Sequence, residues 1–111
     1  MSGTFGEMGN LLKQAQQMQR ELDRAREELK SARIDGTAGG GAVRVVVSGD
    51  GMVLEVHIAP EAAKDVANGR DASALEDLVL AACRDGIQRA NALREERLAR
   101  VTGGLNLPGI L

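Results

Sequence analysis

The stretch that decides the fold is MGNLLKQAQQMQRELDRAREELKSA, residues 8–32. Polar residues fill most of it, and proline is absent. Its apolar residues recur at alternating intervals of three and four, at Met8, Leu11, Ala15, Met18, Leu22, Ala25, Leu29 and Ala32. This heptad repeat predicts a helix that packs along a narrow seam. Such a helix is about 37 Å long, more than a compact domain of this size covers. We therefore expect the seam to contact a second helix or a second copy of the chain.

The segment that follows the helix predicts a three-stranded antiparallel sheet. Val43–Val47 and Met52–Ile58 alternate in the manner of strands, and Ser48–Gly51 has the composition of a hairpin turn. A glycine run at 39–41 predicts another turn, which makes Arg33–Thr37 a weaker third strand. The alternation puts Val43, Val45, Val47, Leu54, Val56 and Ile58 on an aliphatic face, and Arg44, Val53, Glu55 and His57 on a partly solvated one.

Two more helices are predicted after the sheet. Pro60 suits the first turn of a short helix through Ala67, which Asn68-Gly69 would stop. Ser73 followed by Glu76 predicts a capping box that opens a second long helix, and Gly103-Gly104 would end it. The apolar stripe of this helix is Leu75, Leu78, Val79, Ala82, Cys83, Gly86, Ile87 and Ala90. The expected class is α+β, a single domain over residues 1–111 with a flexible segment at 1–7 and a tail at 103–111.

Composition favours self-association. The chain has 111 residues, no Trp or Tyr, and a single Phe at position 5. A core made only of small and medium aliphatic side chains is modest in a domain of this size. Burial between two copies would add to that core, so we expect a dimer.

The sequence offers little for catalysis. His57 and Cys83 are the only residues of their types, and no spacing suits a metal site. The glycines at 36 and 39–41 are not followed by the Gly-Lys-Ser/Thr of a phosphate loop. We expect no enzyme activity, cofactor, metal or small-molecule substrate; a redox or metal role for Cys83 and His57 is a distant alternative. The lone cysteine, the short apolar runs and the absence of a signal-like N-terminus favour a soluble cytoplasmic protein.

Charge is segregated along the chain. The formal net charge is −2, which argues against a strong nucleic-acid binder. Residues 1–33 carry +1, residues 34–83 carry −5 and residues 84–111 carry +2. Single-strand binders stack bases on aromatic side chains, which the sheet lacks, whereas duplex DNA requires only Lys and Arg aligned with phosphates. From the residues alone, a helical dimerisation or adaptor module and a duplex binder are equally open.

Four motifs resemble one known family. MGNLLKQAQQMQ (8–19), DGTAGGGAVRVVVSGDGMVLEVHIAP (35–60), LEDLVLAACRDGIQRA (75–90) and GGLNLPG (103–109) are similar, in this order, to the YbaB/EbfC family of bacterial nucleoid-associated proteins. The resemblance implies a three-stranded sheet flanked by helices, dimerised into a tweezer-like body. It also implies binding of double-stranded DNA, nucleoid organisation and gene regulation.

The resemblance implies that charged residues of the first and last helices contact DNA. The matched first helix supplies Lys13 and Arg20, and the matched last helix supplies Arg84 and Arg89. Charge and position on the same helices add Arg24, Arg26, Lys30, Arg94, Arg97 and Arg100. The alternative is a dimeric adaptor that engages a protein partner through the heptad helix and the apolar LNLPGIL tail.

Overall fold

The computed structural model describes residues 2–69 and 71–103, with side chains from Gly6 onward. Within these residues the elements are α1 (Ser2–Ser31), β1 (Arg33–Ala38), β2 (Val43–Ser48), β3 (Val53–Ile58), α2 (Pro60–Ala67) and α3 (Ser73–Thr102). The strands form one antiparallel sheet in the order β1-β2-β3, and the two long helices flank it. The predicted α+β class is confirmed.

The first helix is longer than its heptad pattern. It begins at Ser2 rather than at the predicted Met8, and it ends at Ser31 as expected. Along its C-terminal half the seam is covered: Ala25 and Leu29 are buried. In its N-terminal half Met8, Leu11 and Leu12 are 61–64% exposed. Among the described residues, the seam therefore has a partner along only half of its length. The flexibility of residues 1–7 and the single-domain boundaries stay predictions.

The sheet forms with the predicted strand pairs. Ile34 pairs with Val47 in β2, and Val43 pairs with Ile58 in β3. The turn Gly39–Gly41 has positive φ at each glycine, a backbone that side chains with a Cβ disfavour. The pairing register of β2 and β3 shifts between Val46 and Val47. Val46 pairs with Glu55 but Val47 pairs with Val53, so a bulge at Leu54 sets Val53 opposite a core residue instead of on the predicted solvated face.

The core lies between α3 and the first two strands. Val43, Val45 and Val47 are fully buried, and so is Ala82 of α3. Around them pack the half-buried side chains Ala38, Leu75, Leu78, Val79 and Cys83. β3 does not contribute to this core, since its side chains Val53, Leu54, Val56 and Ile58 are 42–47% exposed. Hence α3 covers two of the three strands, and the aliphatic face of β3 has no cover within the described residues.

The shorter helix and the helix ends follow the local sequence, with one correction. α2 begins at Pro60 and is followed by Gly69 at φ 91°. α3 begins at Ser73 as predicted, but the capping box is wrong. Ser73 is already helical, and its backbone N–H is bound by the Asp71 carboxylate at 3.0 Å. This bond lowers the pKa of Asp71. α3 ends at Thr102 before Gly103, which has φ 57°.

Among the residues described, no helix has the length and apolar character to cross a membrane.

Candidate nucleic-acid interface

The predicted site residues are carried by α1 and α3, which pair beyond the edge of the sheet. Arg97 of α3 and Glu28 of α1 form an ion pair at 3.7 Å. Nearer the end of α3, Thr102 and Met18 line the same groove. Rising residue numbers on α3 thus meet falling numbers on α1, so the two helices are antiparallel. Ala25 of α1 lies beside this contact and is buried, and its small side chain permits close packing.

Two open grooves run along the sides of this helix pair. The first groove has arginines from both helices together with acidic neighbours; its lining is Glu21, Arg24, Ala25, Glu28, Arg97, Arg100 and Val101. The second groove is more apolar, and its lining is Met18, Leu22, Arg26, Arg94, Glu95, Leu98 and Thr102. Tertiary packing therefore brings five of the ten predicted residues together, three in the first groove and two in the second.

The other five predicted residues extend these surfaces or lie apart from them. Lys13 and Arg20 precede Arg24 by eleven and four residues, spacings that place all three on one side of α1. They continue the first groove along the projecting half of the helix. Lys30, Arg84 and Arg89 lie toward the sheet and line neither groove. The predicted set is therefore a strip along two helices, not one compact cluster.

Several of these cations already have acidic partners. The ion pairs are Arg26–Asp23, Lys30–Glu27, Arg89–Asp85, Arg97–Glu28 and Arg100–Glu96. Among the described residues, Lys13, Arg20, Arg24, Arg84 and Arg94 have no carboxylate within ion-pairing distance. Exposed pairs of this kind contribute about 0–1 kcal/mol each, so a phosphate can displace the carboxylate at little cost. The acidic partners would weaken an anion site without abolishing it.

One of the predicted residues has a structural neighbour that sequence reasoning missed. Both carboxylate oxygens of Asp85 lie 3.2 Å from Arg89 Nε, and Asp85 Oδ2 also accepts the backbone N–H of Thr37 at 3.0 Å. The Thr37 N–H, and after it Arg89, lowers the pKa of the Asp85 carboxyl below its ordinary value. The i, i+4 spacing of Asp85 and Arg89 was a visible signal for the ion pair. The bond to β1 joins residues 48 positions apart and had no local signal.

The residues considered for redox or metal chemistry do not form a site. His57 Nε2 lies 3.1 Å from Glu55 Oε1 on the solvated face, as the alternation predicted. Cys83 lies on α3, on the other side of the sheet, and is half-buried against the hydrophobic core. Within the part of the chain that the structure describes, no three metal-ligating side chains cluster.

The chain is similar in sequence to known proteins. The chain matches the profile of the YbaB/EbfC DNA-binding family over residues 5–105. A nucleoid-associated protein of Exiguobacterium sp. is 48% identical over 105 residues, which cover 95% of this chain and 96% of that protein. One of Thermoanaerobacter pseudethanolicus is 41% identical over 103 residues, covering 93% and 89%.

A solved structure shares the fold. The crystal structure of an uncharacterized protein from Helicobacter pylori superimposes with a TM-score of 0.68 at 23% identity, covering 89% of this chain and 97% of that one. At this identity the likeness concerns the fold alone. The profile match and the two relatives confirm the resemblance drawn from the four motifs: this chain belongs to the YbaB/EbfC DNA-binding family.

Proposed function

We propose that this protein binds double-stranded DNA as a homodimer through the basic surface of α1 and α3, without catalytic activity. In the cell it would be a cytoplasmic, nucleoid-associated protein that organises the nucleoid and modulates gene expression. Membership of a DNA-binding family and the names of the relatives support DNA as the partner. The observation that carries the proposal is the convergence of Arg24, Arg97 and Arg100 in the first groove.

The geometry of this groove suits phosphates better than base edges. Its arginines come from two helices and lie along a shallow surface rather than in a deep pocket; Arg24 and Arg100 are exposed and Arg97 is half-buried. Guanidinium groups bind phosphate oxygens through two parallel hydrogen bonds, and such contacts carry no sequence information. The acidic neighbours Glu21 and Glu28 reduce the local positive charge. We therefore expect modest affinity, low sequence selectivity and a steep salt dependence.

The sheet supports the homodimer. The β1 edge is partly occupied, because Asp85 of α3 binds the Thr37 backbone N–H. The β3 edge has no such cover among the described residues, and its aliphatic side chains are nearly half exposed. Exposed edges of this kind favour pairing with another chain. A second copy placed there would present two helix pairs to one duplex, which raises the overall affinity through multivalency.

The test is a titration of a fluorescent DNA duplex, followed by anisotropy at about 50 and about 200 mM salt. The variant replaces Arg24, Arg97 and Arg100 with alanine, and the control is Lys64→Ala on α2, an exposed cation outside both long helices. We expect the triple variant to lose most of the binding at the lower salt while Lys64→Ala binds like the unaltered chain. Equal losses in both variants, or none in either, would contradict the assignment of this groove.

The adaptor function remains the second candidate, favoured by the exposure of Met8, Leu11 and Leu12. Its other element, the LNLPGIL segment, lies outside the described residues. Replacing Met8 and Leu11 with glutamine distinguishes the two functions. Duplex binding by a folded variant would persist if the basic grooves carry the function. If the chain binds no duplex at either salt while remaining dimeric, the adaptor function is preferred.

A further inference from the structure

The exposed half of α1 carries an apolar patch that the DNA-binding surface does not use. The patch consists of Met8, Leu11 and Leu12, which are 61–64% exposed. Leu11 lies one heptad before Met18 and two before Ala25, so the patch continues the stripe that packs against α3. It lies just beyond the end of α3, because Thr102 of α3 and Met18 of α1 line the same groove. The seam thus loses its cover at the point where the chain leaves α3.

We propose that the tail segment, residues 104–111, docks on this patch of its own chain. Four of its residues are aliphatic, namely Leu105, Leu107, Ile110 and Leu111, and it carries no charged side chain. Its composition therefore matches an apolar helix face. The proposal goes beyond DNA binding and does not depend on it.

The direction of the chain after α3 and the length of the tail segment both fit docking on this patch. The two helices are antiparallel, so a chain that continues past Thr102 in the direction of α3 runs along α1 toward Met8. From Met18 to Met8 the helix rises about 15 Å. Residues 103–111 span up to about 30 Å when extended, so the tail segment reaches the whole patch with length to spare. Gly103 ends α3 at φ 57° and lets the backbone turn at this point.

The chain provides a clean optical test, because it contains no Trp and no Tyr. Leu107→Trp in the full chain introduces a single tryptophan whose emission reports its surroundings. We expect emission to the blue of that of the same variant unfolded in denaturant. Adding Met8→Gln and Leu11→Gln should shift it to the red. The matched control, Leu80→Gln, alters an exposed leucine of α3 and should leave the emission unchanged. The same emission with and without the patch substitutions would overturn the proposal, and so would an equal response to the control.

A mixing experiment establishes which copy supplies the patch. The Leu107→Trp chain is equilibrated with an excess of chains that carry Met8→Gln and Leu11→Gln but no tryptophan. If each tail segment docks on its own chain, the blue emission persists in the mixture and on dilution. A red shift on mixing would overturn the proposal in favour of docking on the partner's patch. Circular dichroism of every variant checks that the overall helical content is retained, and none of these readings requires DNA.

Discussion

Gly36 of β1 and Gly86 of α3 lie in backbone contact where the helix crosses the sheet. A Cβ built on Gly36 would lie 2.4 Å from the Gly86 nitrogen and 2.3 Å from the Ala82 carbonyl oxygen. A Cβ on Gly86 would lie 2.6 Å from Val47 Cγ2. All of these separations are shorter than van der Waals contact. The absence of side chains at both positions therefore permits the close approach of α3 to the sheet.

Gly36→Ala should destabilise the protein strongly. Overpacking usually costs about 1–3 kcal/mol, and here the obstructing atoms are helix backbone that cannot rotate away, so we expect the upper end of that range or beyond. The matched control is Gly9→Ala in α1, where a Cβ has no neighbour within 4 Å. That change should be neutral or stabilising by up to about 1 kcal/mol, because alanine is the better helix former. Chemical denaturation followed by circular dichroism measures both, and similar effects of the two changes would contradict the close approach.

Asp85 should make stability depend on acid pH. Its pKa is lowered in the folded state by the Thr37 N–H and then by Arg89, so the folded protein favours the charged carboxylate. A lowered folded pKa stabilises the fold above the unfolded value of 3.8, and that contribution is lost as the pH falls through the folded pKa. Asp85→Ala should therefore be less stable than the unaltered chain at neutral pH, and the difference should shrink below about pH 4. Thermal unfolding across pH measures this; a difference that stays constant with pH would contradict it.

The acidic partners of the groove arginines should restrain DNA binding. Glu28→Gln and Glu96→Gln release Arg97 and Arg100 from carboxylates while leaving the arginines in place. We expect tighter duplex binding. The slope of log K against the logarithm of the salt concentration should steepen by up to about 0.9 for each additional phosphate that the protein neutralises. The control is Glu61→Gln on α2, a single exposed carboxylate outside the groove. Anisotropy titrations over a salt series measure the slope. If Glu61→Gln has the same effect as Glu28→Gln or Glu96→Gln alone, the change in net charge and not the release of the groove arginines causes the tighter binding.

Substitutions on β3 should separate two copies of the chain. Val56→Lys and Ile58→Lys place charges on side chains that are 47% and 42% exposed, so the fold of one copy should tolerate them. We expect a dimer of the unaltered chain to become monomeric, because a charge buried between two apolar strands lacks a partner. Leu80→Lys changes a side chain of similar exposure on α3 and should leave the dimer intact. Sedimentation velocity measures the mass; a monomer from Leu80→Lys alone would place the interface on α3 instead.

Features with a local cause were predicted from the sequence. The glycine turn at 39–41, the start of α2 at Pro60 and the end of α3 before Gly103 follow from residues whose backbone preferences act within a few positions. The prediction of a capping box at Ser73 was wrong for a related local reason: the Asp71 carboxylate, two residues earlier, accepts the Ser73 backbone N–H at this helix end. The bulge at Leu54 was not predicted, because it arises from pairing between strands, which the alternation within one strand does not record.

The sequence by itself determined the order of the elements, the α+β class and the family, because periodicity, turn residues and motifs are properties of neighbouring positions. Only the tertiary structure decided which cations meet. Arg24 shares a groove with Arg97 and Arg100 because the antiparallel pairing of α1 and α3 brings them together, whereas Arg84 and Arg89 remain near the sheet. The close approach of α3 to β1 is likewise a contact between residues 50 positions apart, Gly36 and Gly86. Contacts at that separation depend on the shape and volume of packed side chains, which no local pattern along the chain contains.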